Sequence, residues 1–259
     1  MLLLVCVGVA LFALSCQREQ PAENASGVDL GDAKAAAARV AESDKLYAQR
    51  EDLARAREAV ALLRQARLAD YGSYEAAWKL SRAEYYVGDH TTNEAERETA
   101  FREAVEAGKA AVKLQDGKPE GHFWLGANYG GSAKHSTLAS LSSVEDIRRE
   151  METVIKLDEG FQSGSAYLGL GQLYLQAPRI LGGDNHKAVD YLEKGLRFGN
   201  DNALLRLRLA EAYHAVNRPQ DARKQLDYIM SMKSDTDYEA ERKEAVAGAQ
   251  KLLGEMKSS

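Results

Sequence analysis

Cys16 is the residue whose chemistry is clearest from type and position. Met1 to Ser15 is almost wholly apolar and ends in Ala13-Leu14-Ser15-Cys16, after which polar residues begin. A short apolar run, a small residue and then a cysteine form the pattern of a bacterial lipoprotein signal. In such a signal the thiol takes a lipid and becomes the first residue of the mature chain. The run is too short for a spanning helix, which needs ~20 apolar residues; plain secretion is the alternative. Ala13 stands where leucine is commonest, and no Lys or Arg precedes Cys16. Gln17 follows in place of the aspartate that signals retention at an inner membrane, so an outer membrane, with the protein facing the periplasm, is expected.

The remaining side chains offer little for catalysis. The chain has two cysteines, Cys6 and Cys16, so the mature part has neither a disulfide nor a catalytic thiol. Its five histidines (His90, His122, His135, His186 and His214) are scattered, without H-x-x-H or H-E-x-x-H spacing, and no metal or cofactor is expected. Gly126 to Ser136 holds glycines, Lys134 and hydroxyls, but lacks the spacing of a nucleotide loop and follows no strand. A net charge of -5 without a basic cluster argues against nucleic acid. Carboxylates are plentiful, yet no nucleophile or poised acid/base pair can be nominated, so no enzyme is expected.

The elements that position these residues are helices. Residues 1–15 read as the signal and 16–33, with Pro21, Gly27 and Gly31, as a flexible tether. Residues 34–259 read as a single all-α helical-repeat domain, rich in Ala, Leu, Glu, Lys and Arg with apolar residues recurring at three and four. The repeat is visible in His122-x-x-Leu125-Gly126-x-x-Tyr129, Tyr167-x-x-Leu170-Gly171-x-x-Tyr174 and Arg206-x-x-Leu209-Ala210-x-x-Tyr213, with a weaker copy at Ala77-x-x-Leu80-Ser81-x-x-Glu84. This is the core of a first tetratricopeptide helix, where a small residue admits the paired helix. Second helices follow, as in Ala188, Leu192 and Gly195, and a further pair is predicted around 36–50 and 53–68. The copies lie farther apart than the ~34 residues of a standard repeat. The surplus falls near 87–97, 131–142 and 177–185, so a divergent array with insertions is expected, superhelical or pore-like. The last part of 219–256 should cap it.

The stretch Gly121-His122-Phe123-Trp124-Leu125-Gly126-Ala127-Asn128-Tyr129-Gly130 resembles the central signature of the TRAP transporter T-component family. The resemblance continues through Ile147-Arg148, Met151-Glu152 and Pro178-Arg179-x-Leu181-Gly182-Gly183-Asp184, spanning roughly 70–215. It implies a periplasmic lipoprotein with a pore or cavity for a hydrophobic ligand. Its implied partner is the solute-binding protein of a tripartite ATP-independent transporter, and self-association into a homo-oligomer is also implied.

In a tetratricopeptide fold the residue after the first signature position faces the concave side, as do those four and seven further on. Those positions, with Arg179 at the groove mouth, nominate Trp78, Arg82, Tyr85, Phe123, Leu168, Gln172, Leu175, Arg179 and Leu207 as ligand-binding residues. They are largely aromatic and aliphatic, which suits an apolar or amphipathic small molecule better than a peptide carboxylate. Two readings of them stand: they line an open groove, or the insertions and the C-terminal helix fold over them as core. His122 is read as a hydrogen-bonded core residue, Asn128 as a backbone ligand, Gly130-Gly131-Ser132 as a helix end and Asp184 as a helix cap. The expected function is transport accessory binding, membrane-held by the lipid anchor only. A lipoprotein scaffold docking envelope proteins is the alternative.

Overall fold

The computed structural model describes residues 30–135, 137–234 and 238–258. The signal, Cys16 and most of the tether therefore lie outside the described residues. Eleven α-helices and no strand appear among the described residues. They are α1 (Leu30–Tyr47), α2 (Leu53–Ala69), α3 (Tyr74–His90), α4 (Glu94–Leu114), α5 (Pro119–His135), α6 (Thr137–Leu157), α7 (Phe161–Gln176), α8 (Asn185–Gly195), α9 (Ala203–Ala215), α10 (Pro219–Ser231) and α11 (Glu239–Ser258). Helix starts are written locally. The side chains of Asp52, Ser73, Asn93, Asp184 and Asn202 each accept a backbone N–H from the first turn that follows, worth about 1 kcal/mol apiece.

Consecutive helices pack as hairpins, α1 on α2 through α9 on α10, and each hairpin stacks on the next. Short connections make neighbours antiparallel. The small residues of the repeat sit at the contacts. Ser81 Oγ donates to the Ala104 carbonyl at 2.8 Å, joining α3 to α4. A Cβ at Gly126 would come within 3.0 Å of Met151 on α6, and one at Gly171 within 2.3 Å of Leu192 on α8. Buried leucines and alanines fill the seams as a series of clusters along the array. The predicted all-α, tetratricopeptide-like hairpin fold is the one observed.

Two of the three predicted insertions are additional helix. α3 runs on to His90 and α4 begins at Glu94, while α5 runs to His135 and α6 begins at Thr137. The helix end expected at Gly130-Gly131-Ser132 is therefore corrected. Gly131 continues α5, and the Phe101 ring of α4 occupies the space of its missing side chain, where a Cβ would come within 2.2 Å. The third, at 177–185, is a real turn: a short 3-10 segment spans Arg179–Leu181, and Asp184 N donates to the Tyr174 carbonyl at 2.9 Å. α1 starts at Leu30, inside the stretch assigned to the tether. α11 covers α9 and α10 as the capping helix.

Candidate functional site

The concave side of the array encloses a chamber of about 2080 Å³, walled by α1, α3, α5, α7 and α9 and crossed by the first turns of α11. Its centre is aromatic. Phe123 and Trp124, adjacent on α5, meet edge to face with centroids 5.1 Å apart, and Tyr85 of α3 lies 5.7 Å from Trp124. Beside them the floor of α5 is bare at Gly126, Ala127 and Gly130. A Cβ on Gly130 would meet only Ile147 Cδ1, at 3.9 Å. Packing therefore does not require glycine there, although it costs an internal helix position roughly 0.5–1 kcal/mol relative to alanine. Burial pushes the phenols of Tyr47 and Tyr85 upward, so both are neutral hydroxyls at ordinary pH.

The polar groups collect toward the first hairpin. The Arg82 guanidinium lies 4.0 Å over the Tyr47 ring and donates to Asp44 Oδ1 at 3.2 Å. Lys79 donates to the other oxygen of Asp44 at 2.7 Å. Across the chamber mouth, Arg50, in the turn between α1 and α2, donates to Glu241 Oε1 on α11 at 3.1 Å. This contact bridges the first interhelical turn and the last helix across the chamber mouth. Arg50 also faces the rings of Tyr47 and Tyr86, at 5.0 and 5.7 Å. Three buried atoms of wall residues, Arg82 Nε, Trp124 Nε1 and Glu241 Oε2, have no hydrogen-bond partner among the described residues. Buried groups left in this way cost about 1–3 kcal/mol each.

Of the residues nominated from spacing, Arg82, Tyr85, Phe123, Leu168 and Gln172 line the chamber together. Four lie elsewhere. Trp78 packs on the cluster of Tyr74, Ala77 and Ala111, with Arg82 at 5.0 Å from its ring. Leu175 packs against the C-terminal core. Arg179 sits in the exposed turn beyond α7, beside Gly183 and Asp184. Leu207 is 2% exposed because α11 lies on it, the Leu207 side chain filling the space beside Gly248. The spacing rule missed Tyr47, Arg50, Trp124, Arg208 and Glu241, which also line the wall. Trp124 was legible as the ring beside Phe123, whereas the two charges at the mouth meet only where the first turn and the last helix come together.

The supporting residues follow expectation. His122 is buried, with Nδ1 2.7 Å from Glu150 and Nε2 2.9 Å from the Asp116 carbonyl. Asn128 Nδ2 donates to the carbonyl and hydroxyl of Ser81, both at 3.0 Å, and to the Trp124 carbonyl at 2.7 Å, which fastens α5 to α3 directly behind the aromatic wall. Asp184 Oδ1 accepts from the backbone of His186 and Lys187. Among the described residues no group of three or more His, Cys, Asp or Glu could hold a metal.

Residues 39–170 match the model of the family of regulator of microtubule dynamics proteins 1-3. The chain belongs to this family. The matched region of the family runs from α1 to α7 and contains Tyr47, Arg82, Tyr85, Phe123 and Trp124, while α8 to α11 lie beyond it. Among solved structures, a tetratricopeptide protein of the thermophile Thermus thermophilus, TTC0263, is similar at 20% identity. It covers 82% of this chain and 100% of its own, with a TM-score of 0.60. PilF of Pseudomonas aeruginosa is similar at 17% identity, covering 87% of this chain and 93% of its own, with a TM-score of 0.58. At such identities the likeness shows the fold, an all-α tetratricopeptide-like array. No curated protein sequence matches the chain.

Proposed function

We propose that this member of the family is a non-enzymatic docking scaffold held at a membrane, whose chamber receives a segment of a partner protein. The observation that carries the reading is the size of the chamber. At about 2080 Å³ it exceeds the ~300–1,000 Å³ of a small-molecule pocket, so a small solute would leave most of the wall unmatched. A polypeptide segment fills it. Main-chain groups suit the polar side chains on the wall, such as Gln172 and Arg208, and apolar side chains suit the rings. The carboxylates of Asp44 and Glu241 are engaged by Lys79, Arg82 and Arg50, which suits holding walls in place rather than moving protons. Attachment rests on the leader: lipid on Cys16 would tether the array to a membrane, the outer one in the periplasmic reading.

The aromatic wall also favours a second reading, an accessory component of a TRAP transporter that binds an amphipathic solute beside a periplasmic solute-binding protein. That reading rests on the resemblance around Phe123 and Trp124. Native mass spectrometry of the gently released full chain separates the two. The scaffold reading expects a bound polypeptide mass that is lost in Phe123→Ala and in Gly130→Leu. A small organic mass lost in the same variants, with no polypeptide, would replace it with the solute reading. The same spectrum reports self-association.

A further inference from the structure

Alternation of direction along the array places the N-termini of the odd-numbered helices and the C-termini of α2, α4, α6, α8 and α10 on one edge. Seven of the eight large apolar residues that stand exposed among the described residues lie on that edge, led by Leu68, Tyr71 and Tyr238 at 68%, 66% and 62% exposure. Ile180, in the turn between α7 and α8, is the exception and marks the opposite edge. Scattered surface leucines need no explanation. Segregation to one edge does.

The most exposed pair on this edge sits where the chain enters the array. α1 and α2, of 18 and 17 residues, form one hairpin, so the start of α1 at Leu30 is level with the end of α2 at Ala69. Leu68 and Tyr71 flank that end. Lipid on Cys16 would therefore join the array beside them, through residues 17–29, a linker that reaches at most about 45 Å when fully extended. The neighbouring charges suit a lipid interface. Arg67 donates to the Tyr71 carbonyl at 2.7 Å and lies 5.8 Å over its ring, and Lys113 and Lys118 flank the exposed Leu114 of the next hairpin. Of the nearby acids, Asp70 Oδ1 accepts the Gly72 N–H at 2.8 Å, Asp116 reaches His122 at 3.4 Å with its side chain 86% exposed, and Asp32 stands exposed in the first turn of α1.

We infer that this edge, at the end of the first hairpin, lies against the lipid bilayer: Leu68, Tyr71 and Leu114 enter the headgroup boundary while Arg67, Lys113 and Lys118 reach the phosphates. The array then stands with the Ile180 edge away from the membrane, and the chamber mouth between Arg50 and Glu241 is held at a fixed orientation to it. The inference rests on the membrane attachment proposed above.

The test uses the lipidated chain, in which Cys6 has left with the signal and the Cys16 thiol is blocked, in vesicles of phosphatidylcholine and phosphatidylglycerol, with an environment-sensitive fluorophore on Tyr71→Cys or on Ile180→Cys. Flotation first checks the attachment. A chain that does not float overturns the attachment and the inference together. In a chain that floats, the label at position 71 should shift to the blue and be quenched by brominated lipid several-fold more than the label at 180. Equal quenching at the two positions, with the chain still floating, overturns the edge while leaving the attachment intact. A blue shift at 71 that brominated lipid does not quench overturns it in favour of a protein covering the edge. Leu68→Glu combined with Tyr71→Glu, both sites exposed, should lower quenching of a label at Leu114→Cys with no change in the thermal melt.

Discussion

Glu84 is a carboxylate held almost wholly out of water. It sits on α3 with its side chain 2% exposed, 2.7 Å from the Arg64 guanidinium of α2, which also reaches Glu103 of α4. Burial outweighs the attraction of Arg64, the charge of Glu103 adds to it, and the carboxyl is pushed up to about 7. The folded chain thus holds a proton between about pH 4.5 and 7 that the unfolded chain has released. This group's contribution is most favourable at the acid end of that window and declines as pH rises through it, by up to about 3 kcal/mol. The His122 imidazole is raised mainly by its hydrogen bond to Glu150, so its contribution is also present at low pH and lost as pH rises through its folded value. Only a difference between variants isolates Glu84. Glu84→Gln keeps an acceptor for Arg64 without the charge. Thermal melts should show it more stable than the parent near pH 8, by about 2 kcal/mol, with the gain shrinking toward pH 5. A constant difference across that range would show that the buried charge is not what sets the cost.

Two glycines on neighbouring walls separate what a helix needs for packing from what it leaves open. Gly171 of α7 faces Leu192 of α8, and Gly171→Ala would drive a methyl to within 2.3 Å of Leu192 Cγ. A loss of about 1–3 kcal/mol from overpacking is expected in denaturant titrations. Gly130 of α5 faces the chamber, with only Ile147 Cδ1 at 3.9 Å. There Gly130→Ala should stabilise the fold by about 0.5–1 kcal/mol. If both substitutions destabilise equally, Gly130 is a packing residue and the bare floor has no meaning for binding. The first kind of glycine is readable from the chain, because L-G-x-x-Y spacing encodes close approach of a paired helix. The second kind is not. Past Gly130 the helix runs on, and the bare Gly131 there is filled by the Phe101 ring, which comes from another helix.

At the scale of the whole molecule, the chamber mouth is bridged by Arg50 and Glu241, 191 positions apart. The pair is partly exposed, at 20% and 37% of the side chains, so its loss should cost the fold less than about 1 kcal/mol. Its effect should instead be local. Arg50→Gln should speed hydrogen exchange in residues 239–244, as should raised salt, while exchange in α5 and α9 stays slow. Unchanged exchange at 239–244 would mean that the packing of α11 on α9 and α10 holds its first turns in place by itself. In that case a partner segment would have to thread between the ends rather than enter through an opened side.

The all-α class, the hairpin repeat, its small-residue contacts, the cap at Asp184 and the core roles of His122 and Asn128 were legible in the chain, whereas the caps at Asp52, Ser73, Asn93 and Asn202 were not read from it. The class, the repeat and the cap depend on residues within a few turns of one another, where helical spacing dictates neighbours, whereas the partners of His122 and Asn128 come from α6 and α3. Rings on the concave face were legible for the same reason, at Tyr85 and Phe123. Tertiary structure alone decided which concave residues remain open. Leu207 obeys the same spacing as Phe123, yet α11 folds back onto it, Gly248 against its side chain. Arg50 and Glu241 carry no local pattern, and they become a wall only when five stacked hairpins curve far enough to bring the first turn to the last helix. Curvature is the sum of many side-chain contacts along the array, so no single segment of the chain contains it.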